Sequence, residues 1–242
     1  MKGILFILLL SCAVHAKDIC QVDETIIPKE KYPAVIQVTA SQGKCTATIV
    51  GPNTILTAAH CGYEKNKNLE NVIPEGKTGS FSVNGKNFTF TFIPSTRTGK
   101  DIRTDLKPDV ALGLVHTSIK NIKPLSIHFE KYREPMIVLG YGRGQNILSG
   151  FYVKTDFEEG FKRHMISNDS TKNDYACPGD SGGPTLAYNS SKQLGIVGVH
   201  VYTDLSKYTG DIRTNSEAFK EFITQKTEKY NLQICGYNLD CN

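Results

Sequence analysis

Short runs of β-forming residues, divided by turn residues, set the tightest limit on how this chain folds. AVIQVTA (34–40), CTATIV (45–50), TILTAA (54–59), DVALGLV (109–115), MIVLGYG (136–142), GFYVKTDF (150–157) and LGIVGVHVY (194–202) all read as strands. SFSVNGKNFTFTF reads as a hairpin, because Asn84-Gly85 supplies the positive φ angles of a type I′ turn. Only SEAFKEFITQKTEKY carries a clean helical period. It puts Phe219, Phe222, Ile223 and Tyr230 on one face, with Asn215 or Ser216 as cap. Many short strands and a single terminal helix indicate an all-β barrel or sandwich. A basic, proline-containing link near 120–135 separates two strand-rich halves.

The ends of the chain speak to compartment. MKGILFILLLSCAVHA has Lys2, an apolar run and Val14-His15-Ala16, the three regions of a secretory signal, and the run is too short to span a bilayer. The expected mature chain is soluble, begins near Lys17 and is extracellular. Of the seven cysteines, Cys12 falls in the leader; Cys20, Cys45, Cys61, Cys177, Cys235 and Cys241 remain, an even set that suggests disulfides in a secreted protein. Asn87, Asn168 and Asn189 begin N-glycosylation sequons. A net charge of +4, scattered along the chain, argues against nucleic acid, and no second long apolar run argues for a membrane. No cofactor motif or metal-ligand spacing is present, so neither a cofactor nor a metal is expected.

Three separated segments each carry one part of a nucleophilic set. LTAAHC places His60 at the end of an apolar strand, KPDVALGLV places Asp109 at the start of another, and CPGDSGGP places Ser181 in a glycine-rich turn. A serine hydroxyl is a weak nucleophile until a base removes its proton. Histidine does so near neutral pH, and a buried carboxylate fixes its tautomer. The glycines let successive N–H groups converge where an oxyanion forms. The nucleophile elbow of α/β-hydrolases is a poor match, since it needs parallel strands alternating with helices and the order serine, acid, histidine. Here the order is His60, Asp109, Ser181.

LTAAHC, DVAL and CPGDSGGP in this order resemble the chymotrypsin-like serine proteases, over roughly Pro33 to Ile223. The resemblance implies two antiparallel Greek-key β-barrels and a C-terminal helix, with the active site in the cleft between them. It divides the chain into a signal peptide (1–16), an N-terminal pro or linker segment (17–32), a first barrel (33–122) and a second barrel with the helix (123–242). It makes His60 the general base and then acid, Asp109 its orienting group, Ser181 the nucleophile, and the N–H groups of Gly179 and Ser181 the oxyanion hole. It also implies a Cys45–Cys61 bridge and likens Gly140-Tyr141-Gly142 to the family's Gly-Trp-Gly. The implied activity is endopeptidase hydrolysis of polypeptides through an acyl-enzyme, by a monomer open to protein inhibitors. A protease-like binding protein that has lost turnover is the rival reading.

Several departures matter. The usual Ile-Val-Gly-Gly start, whose amine pairs with the aspartate before the nucleophile, is missing, so Asp180 needs another arrangement; Ile26 or Ile27 would supply a terminus after a cut. CTATIVGPNT is closer to the Cys-Thr-Gly-Thr-Leu-Ile-Gly-Pro-Asn-Thr of bacterial-type glutamyl endopeptidases than to the Cys-Gly-Gly-Ser-Leu-Ile of animal digestive enzymes. Tyr175 stands where trypsin-type members carry the pocket aspartate, which argues against trypsin-like specificity. Aligning Gly198-Val199 puts His200 at the position of the histidine in acid-specific members, with Tyr202 and Thr203 beside it. Three readings stay open: a pocket for Glu or Asp, a pocket for neutral or hydrophobic residues, and a narrow or blocked pocket. Cys177 is left to pair with Cys20, Cys235 or Cys241, or to stay free, and CGYNLDCN is expected to staple the helix to the body.

Overall fold

The computed structural model describes residues 25–98, 107–142, 146–156, 164–168, 176–203 and 208–241. The first half contains β1 (Thr25–Ile26), β2 (Val35–Ala40), β3 (Gly43–Gly51), β4 (Thr54–Thr57), β5 (Glu64–Lys65), β6 (Asn71–Val72), β7 (Thr78–Val83), β8 (Lys86–Pro94) and β9 (Ala111–Val115). The second contains β10 (Tyr132–Gly140), β11 (Ser149–Asp156), β12 (His164–Asn168), β13 (Pro184–Asn189), β14 (Leu194–Thr203) and β15 (Tyr208–Arg213), followed by helix α1 (Glu217–Tyr230).

Both halves close, and every strand pair is antiparallel. The order β2-β3-β4-β9-β8-β7 forms one barrel. In the other, β11-β10-β13-β14-β15-β12 returns to β11 through an extra β11–β12 pairing. Closure removes the edges that open sheets leave unpaired. β1 adds to the outside of the second barrel against Ser149 and Gly150, so part of the 17–32 segment is built into the C-terminal sheet. The Asn84-Gly85 turn forms as its residues require, with φ of 49° and 70°. Six strands go unread in the sequence: the two-residue β1, β5 and β6, and the longer β12, β13 and β15. β13 opens on a proline and β15 carries Gly210 and Asp211, residues that favour turns over strands.

Alternation along the strands fills each barrel. Ile36, Val38, Ile49, Ile55, Phe81, Phe90 and Phe92 pack the first, and Val138, Phe151, Val153, Ala187 and Val197 pack the second. A third cluster joins them. Val35, Val50, Leu56 and Leu112 meet Leu139, Tyr141, Leu186 and Val199, and α1 adds Phe219, Phe222 and Ile223. Each such side chain contributes about 1.5–3 kcal/mol by leaving water, so the barrels are welded along one face. Ser216, of the two candidate caps, takes the role: its hydroxyl accepts the Phe219 N–H at 3.3 Å.

The tail corrects one expectation. Cys235 pairs with Cys241, closing a short loop within CGYNLDCN, so the disulfide does not staple the helix to the body. Docking comes from the backbone instead: the Cys235 N–H donates to Val50 O and the Cys235 carbonyl accepts from Ile127 N–H, at 2.7 and 2.9 Å. Cys45 and Cys61 are bridged. Cys177 is disulfide-bonded too, and with the other four paired its partner lies outside the described residues. Among the other histidines, His116 is exposed, with ring nitrogens 3.0 and 2.8 Å from the hydroxyls of Thr89 and Thr91. His128 is buried beside Gly195, and burial pushes its pKa down against the charge of Glu130.

Candidate active site

β4 runs into the 3-10 turn Ala59–Gly62, which presents His60 at the rim of the first barrel. Asp109 enters just before β9, because Ser95 N–H and Val110 N–H both fold the 108–110 backbone back on itself and on the neighbouring strand. Its carboxylate reaches His60 twice. Oδ2 lies 2.8 Å from His60 Nδ1, and Oδ1 accepts the His60 backbone N–H at 2.9 Å. Both donors are satisfied by one buried carboxylate, so ring and backbone are fixed together. Burial pushes the His60 pKa down, but the charge of Asp109 and its hydrogen bond push it up further, and the net direction is above the usual 6.5.

Ser181 comes to this place from the other barrel. Its carbonyl accepts the Thr46 N–H at 2.9 Å and faces Cys61 Sγ at 3.8 Å, one residue from His60. Its hydroxyl makes no hydrogen bond among the described residues, to the His60 ring or otherwise. Unliganded catalytic hydrogen bonds are often long and tighten only with substrate. The turn itself is tightly specified. Gly182 has φ of 86°, and a Cβ there would collide with the Thr57 hydroxyl and the Thr46 carbonyl.

The backbone donors of the turn divide into two groups. Asp180 N–H donates to Cys177 O at 2.9 Å, Gly182 N–H to His200 O at 2.7 Å, and Gly183 N–H to Asp180 O at 2.8 Å. The N–H groups of Gly179 and Ser181 have no partner among the described residues. Those are the two donors assigned to the oxyanion hole from the sequence.

Two comparisons with known proteins bear on this arrangement. The family model for trypsin matches residues 21–223, most of the chain. The chain belongs to the trypsin family. It is a chymotrypsin-like serine endopeptidase, and its substrates are polypeptides. Among solved structures, 907 chains match it. One is a Glu endopeptidase in complex with MPD, at 20% identity, TM-score 0.62, covering 86% of this chain and 98% of that one. No curated protein matches the sequence.

In this trypsin-family chain, backbone N–H groups hold the aspartate that precedes the nucleophile turn's serine. The Asp180 carboxylate is buried, and it accepts Gly142 N–H on Oδ1 at 2.6 Å and Cys177 N–H on Oδ2 at 2.7 Å. Ile27, one of the candidate new termini, is buried and gives its N–H to Leu148 O at 2.9 Å. Gly142 is required here: a Cβ would sit inside the Asp180 carboxylate. That explains the second glycine of Gly140-Tyr141-Gly142. The tyrosine between them is buried, and its hydroxyl donates to Val35 O across the barrel interface at 3.1 Å. Burial pushes its pKa up to about 12.

The predicted pocket is only partly in view. Tyr175 lies outside the described residues, as does the side chain of Thr203. Tyr202 is 52% exposed. His200 sits in β14, directly against the nucleophile turn through its backbone, and is 1% exposed. Sequence reasoning missed its partner. His200 Nδ1 lies 2.8 Å from Asp211 Oδ1, and the Thr185 hydroxyl donates to the other Asp211 oxygen. β14 and β15 place His200 opposite Asp211, and β13 brings Thr185 alongside. No local pattern in the sequence signals this, because the three residues meet only through the sheet. Cys45, His60 and Cys61 stand close enough to hold a metal, but the disulfide occupies both sulfurs.

Proposed function

We propose that the chain is a secreted endopeptidase using His60, Asp109 and Ser181 through an acyl-enzyme, with a preference for an acidic residue before the scissile bond. The observation that carries the catalytic part is the two-point grip of Asp109 on His60, across from the turn bearing Ser181. A carboxylate on Nδ1 leaves Nε2 free to take a proton and stabilises the imidazolium that results. The N–H groups of Gly179 and Ser181, without a partner among the described residues, supply the donors that a tetrahedral oxyanion needs. The leader sequence and the paired cysteines support secretion. No helix among the described residues is long and apolar enough to cross a membrane.

The direct test is reaction of the secreted protein with a fluorophosphonate. A single adduct on Ser181, found by peptide mapping, is the expected outcome; an unlabelled protein rejects the catalytic assignment.

The acidic preference rests on His200 and Asp211, and it agrees with the fold shared with a Glu endopeptidase. With Nδ1–H held by Asp211, Nε2 is the ring atom left for the substrate, and a proton shared between it and a substrate carboxylate makes a charge-assisted hydrogen bond. Hydrogen bonds to charged groups contribute about 1.5–3 kcal/mol, so wild type is expected to favour Glu over Gln before the scissile bond by roughly 10- to 100-fold in kcat/KM. His200→Gln and Asp211→Asn should each erase most of that ratio while the Gln substrate is still cleaved. A library digest dominated by cuts after Leu or Tyr contradicts the preference and leaves the triad assignment standing.

A further inference from the structure

We propose that Thr46 is a positioning residue of the oxyanion turn, acting through a hydroxyl clamped between the Gly179 carbonyl and the Tyr141 N–H. The inference rests on the reading of Gly179 and Ser181 as oxyanion donors. Thr46 belongs to β3 of the first barrel, and both its hydroxyl partners belong to the second, at sequence separations of 133 and 95. The Gly179 carbonyl lies 2.8 Å and the Tyr141 nitrogen 2.9 Å from Thr46 Oγ1.

The direction of each bond is settled by chemistry. A backbone N–H can only donate and a carbonyl can only accept, so the single hydroxyl proton goes to Gly179 and a lone pair takes Tyr141. The Thr46 backbone adds two more contacts: its N–H holds Ser181 O at 2.9 Å, and its carbonyl accepts the Thr57 hydroxyl at 2.7 Å. The residue is fully buried, so water does not replace it.

These bonds pin alternate peptide units of the turn. The Gly179–Asp180 peptide is held at its carbonyl by Thr46 and at its N–H by Cys177 O. The Ser181–Gly182 peptide is held at its carbonyl by Thr46 and at its N–H by His200 O. The N–H groups of Gly179 and Ser181, unpartnered among the described residues, lie next to these fixed units and inherit their orientation. Gly179 has φ of 112°, where glycine rotates with little steric resistance, so its geometry must come from such tethers. The second hydroxyl partner matters too. Tyr141 precedes Gly142, whose N–H holds the Asp180 carboxylate, so Thr46 aligns both sides of the turn. Where this chain has threonine, the Cys-Gly-Gly-Ser pattern has glycine and no side chain to do this.

The test compares Thr46→Val, which keeps the shape and loses the hydroxyl, with Thr46→Ser, which keeps the hydroxyl, and Thr46→Ala. Each is purified as the secreted protein, checked by thermal unfolding, and assayed for kcat, KM and affinity for a peptide boronic acid and for the cleaved product peptide. Loss of a whole oxyanion donor costs about 10²–10³ in kcat; a displaced one should cost roughly 10- to 100-fold. Thr46→Val is expected to lose that much in kcat and in boronate affinity, with KM and product affinity within about twofold, because product makes no tetrahedral oxyanion. Thr46→Ser should restore kcat to within about threefold. If Thr46→Val does not fold, the same contrast is read between Thr46→Ala and Thr46→Ser. Equal kcat in wild type, Val and Ala variants overturns the clamp, as does a serine variant as slow as alanine. A wild type that neither turns over nor reacts with fluorophosphonate marks failure of the underlying catalytic reading instead.

Discussion

Ser181→Ala is expected to lower kcat on a peptide substrate by on the order of 10⁶-fold while leaving the melting temperature within a degree or two of wild type. The two halves of that expectation come from different atoms of one residue. The hydroxyl makes no hydrogen bond among the described residues, so removing it strands no buried partner. The structural contacts belong to the carbonyl, which holds Thr46 N–H and faces Cys61 Sγ, and alanine keeps them. KM should change little, since substrate binding uses the cleft and not the nucleophile. The check is a progress curve at high enzyme concentration, with active sites of the wild type titrated, alongside thermal unfolding of both proteins. A variant that retains a tenth or more of the activity removes Ser181 from the mechanism.

The parts of the site that chemistry forces into local sequence were legible. Ser181 needs a turn built of glycines, and CPGDSGGP declares it; Gly182 has the positive φ that such a turn implies. His60 and Asp109 each stand at the end of an apolar strand, where a polar side chain reaches the rim of a barrel while the strand stays in the core. The groups that hold these residues in place were not legible. Thr46 and Thr185 look like ordinary strand residues and Asp211 like a turn residue, and each acquires its role from a partner in another strand or barrel. The same limit explains the unread strands. Asp211 argues against a strand by propensity, yet β15 forms because pairing with β14 and β12 on both sides outweighs the local preference. The tail misled for a related reason: an even cysteine count says that bridges form, not which ones, and the Cys235–Cys241 loop is a pairing that spacing alone does not select.

Asp109→Asn should lower kcat by about 10⁴-fold without disturbing the fold around it, and the hydrogen-bond pattern says why. Asp109 accepts from two donors, His60 Nδ1–H and the His60 backbone N–H. An asparagine has one oxygen and one NH₂ to offer. If its oxygen faces Nδ1, its NH₂ meets the backbone N–H, donor against donor, in a buried place. The backbone N–H cannot yield, but the imidazole can. The amide therefore turns its oxygen to the backbone and its NH₂ to Nδ1, which must become an acceptor and move the ring proton to Nε2. A ring already protonated there cannot take the proton of Ser181. The pH profile separates this from simple damage. In wild type the net effect of Asp109 is to raise the His60 pKa above 6.5 despite burial, so kcat/KM should climb through a pH above that value as the base becomes neutral. In the variant both raising causes vanish, burial remains, and the acid limb should move below 6.5. Stability shifts in the matching sense. A raised folded-state pKa gives a contribution that is present in full below 6.5 and fades as pH rises through the folded value. Wild type should therefore lose that increment on going from acid to alkaline conditions, and Asp109→Asn should not. Equal acid limbs in the two proteins would mean that the carboxylate does not govern the charge of the ring.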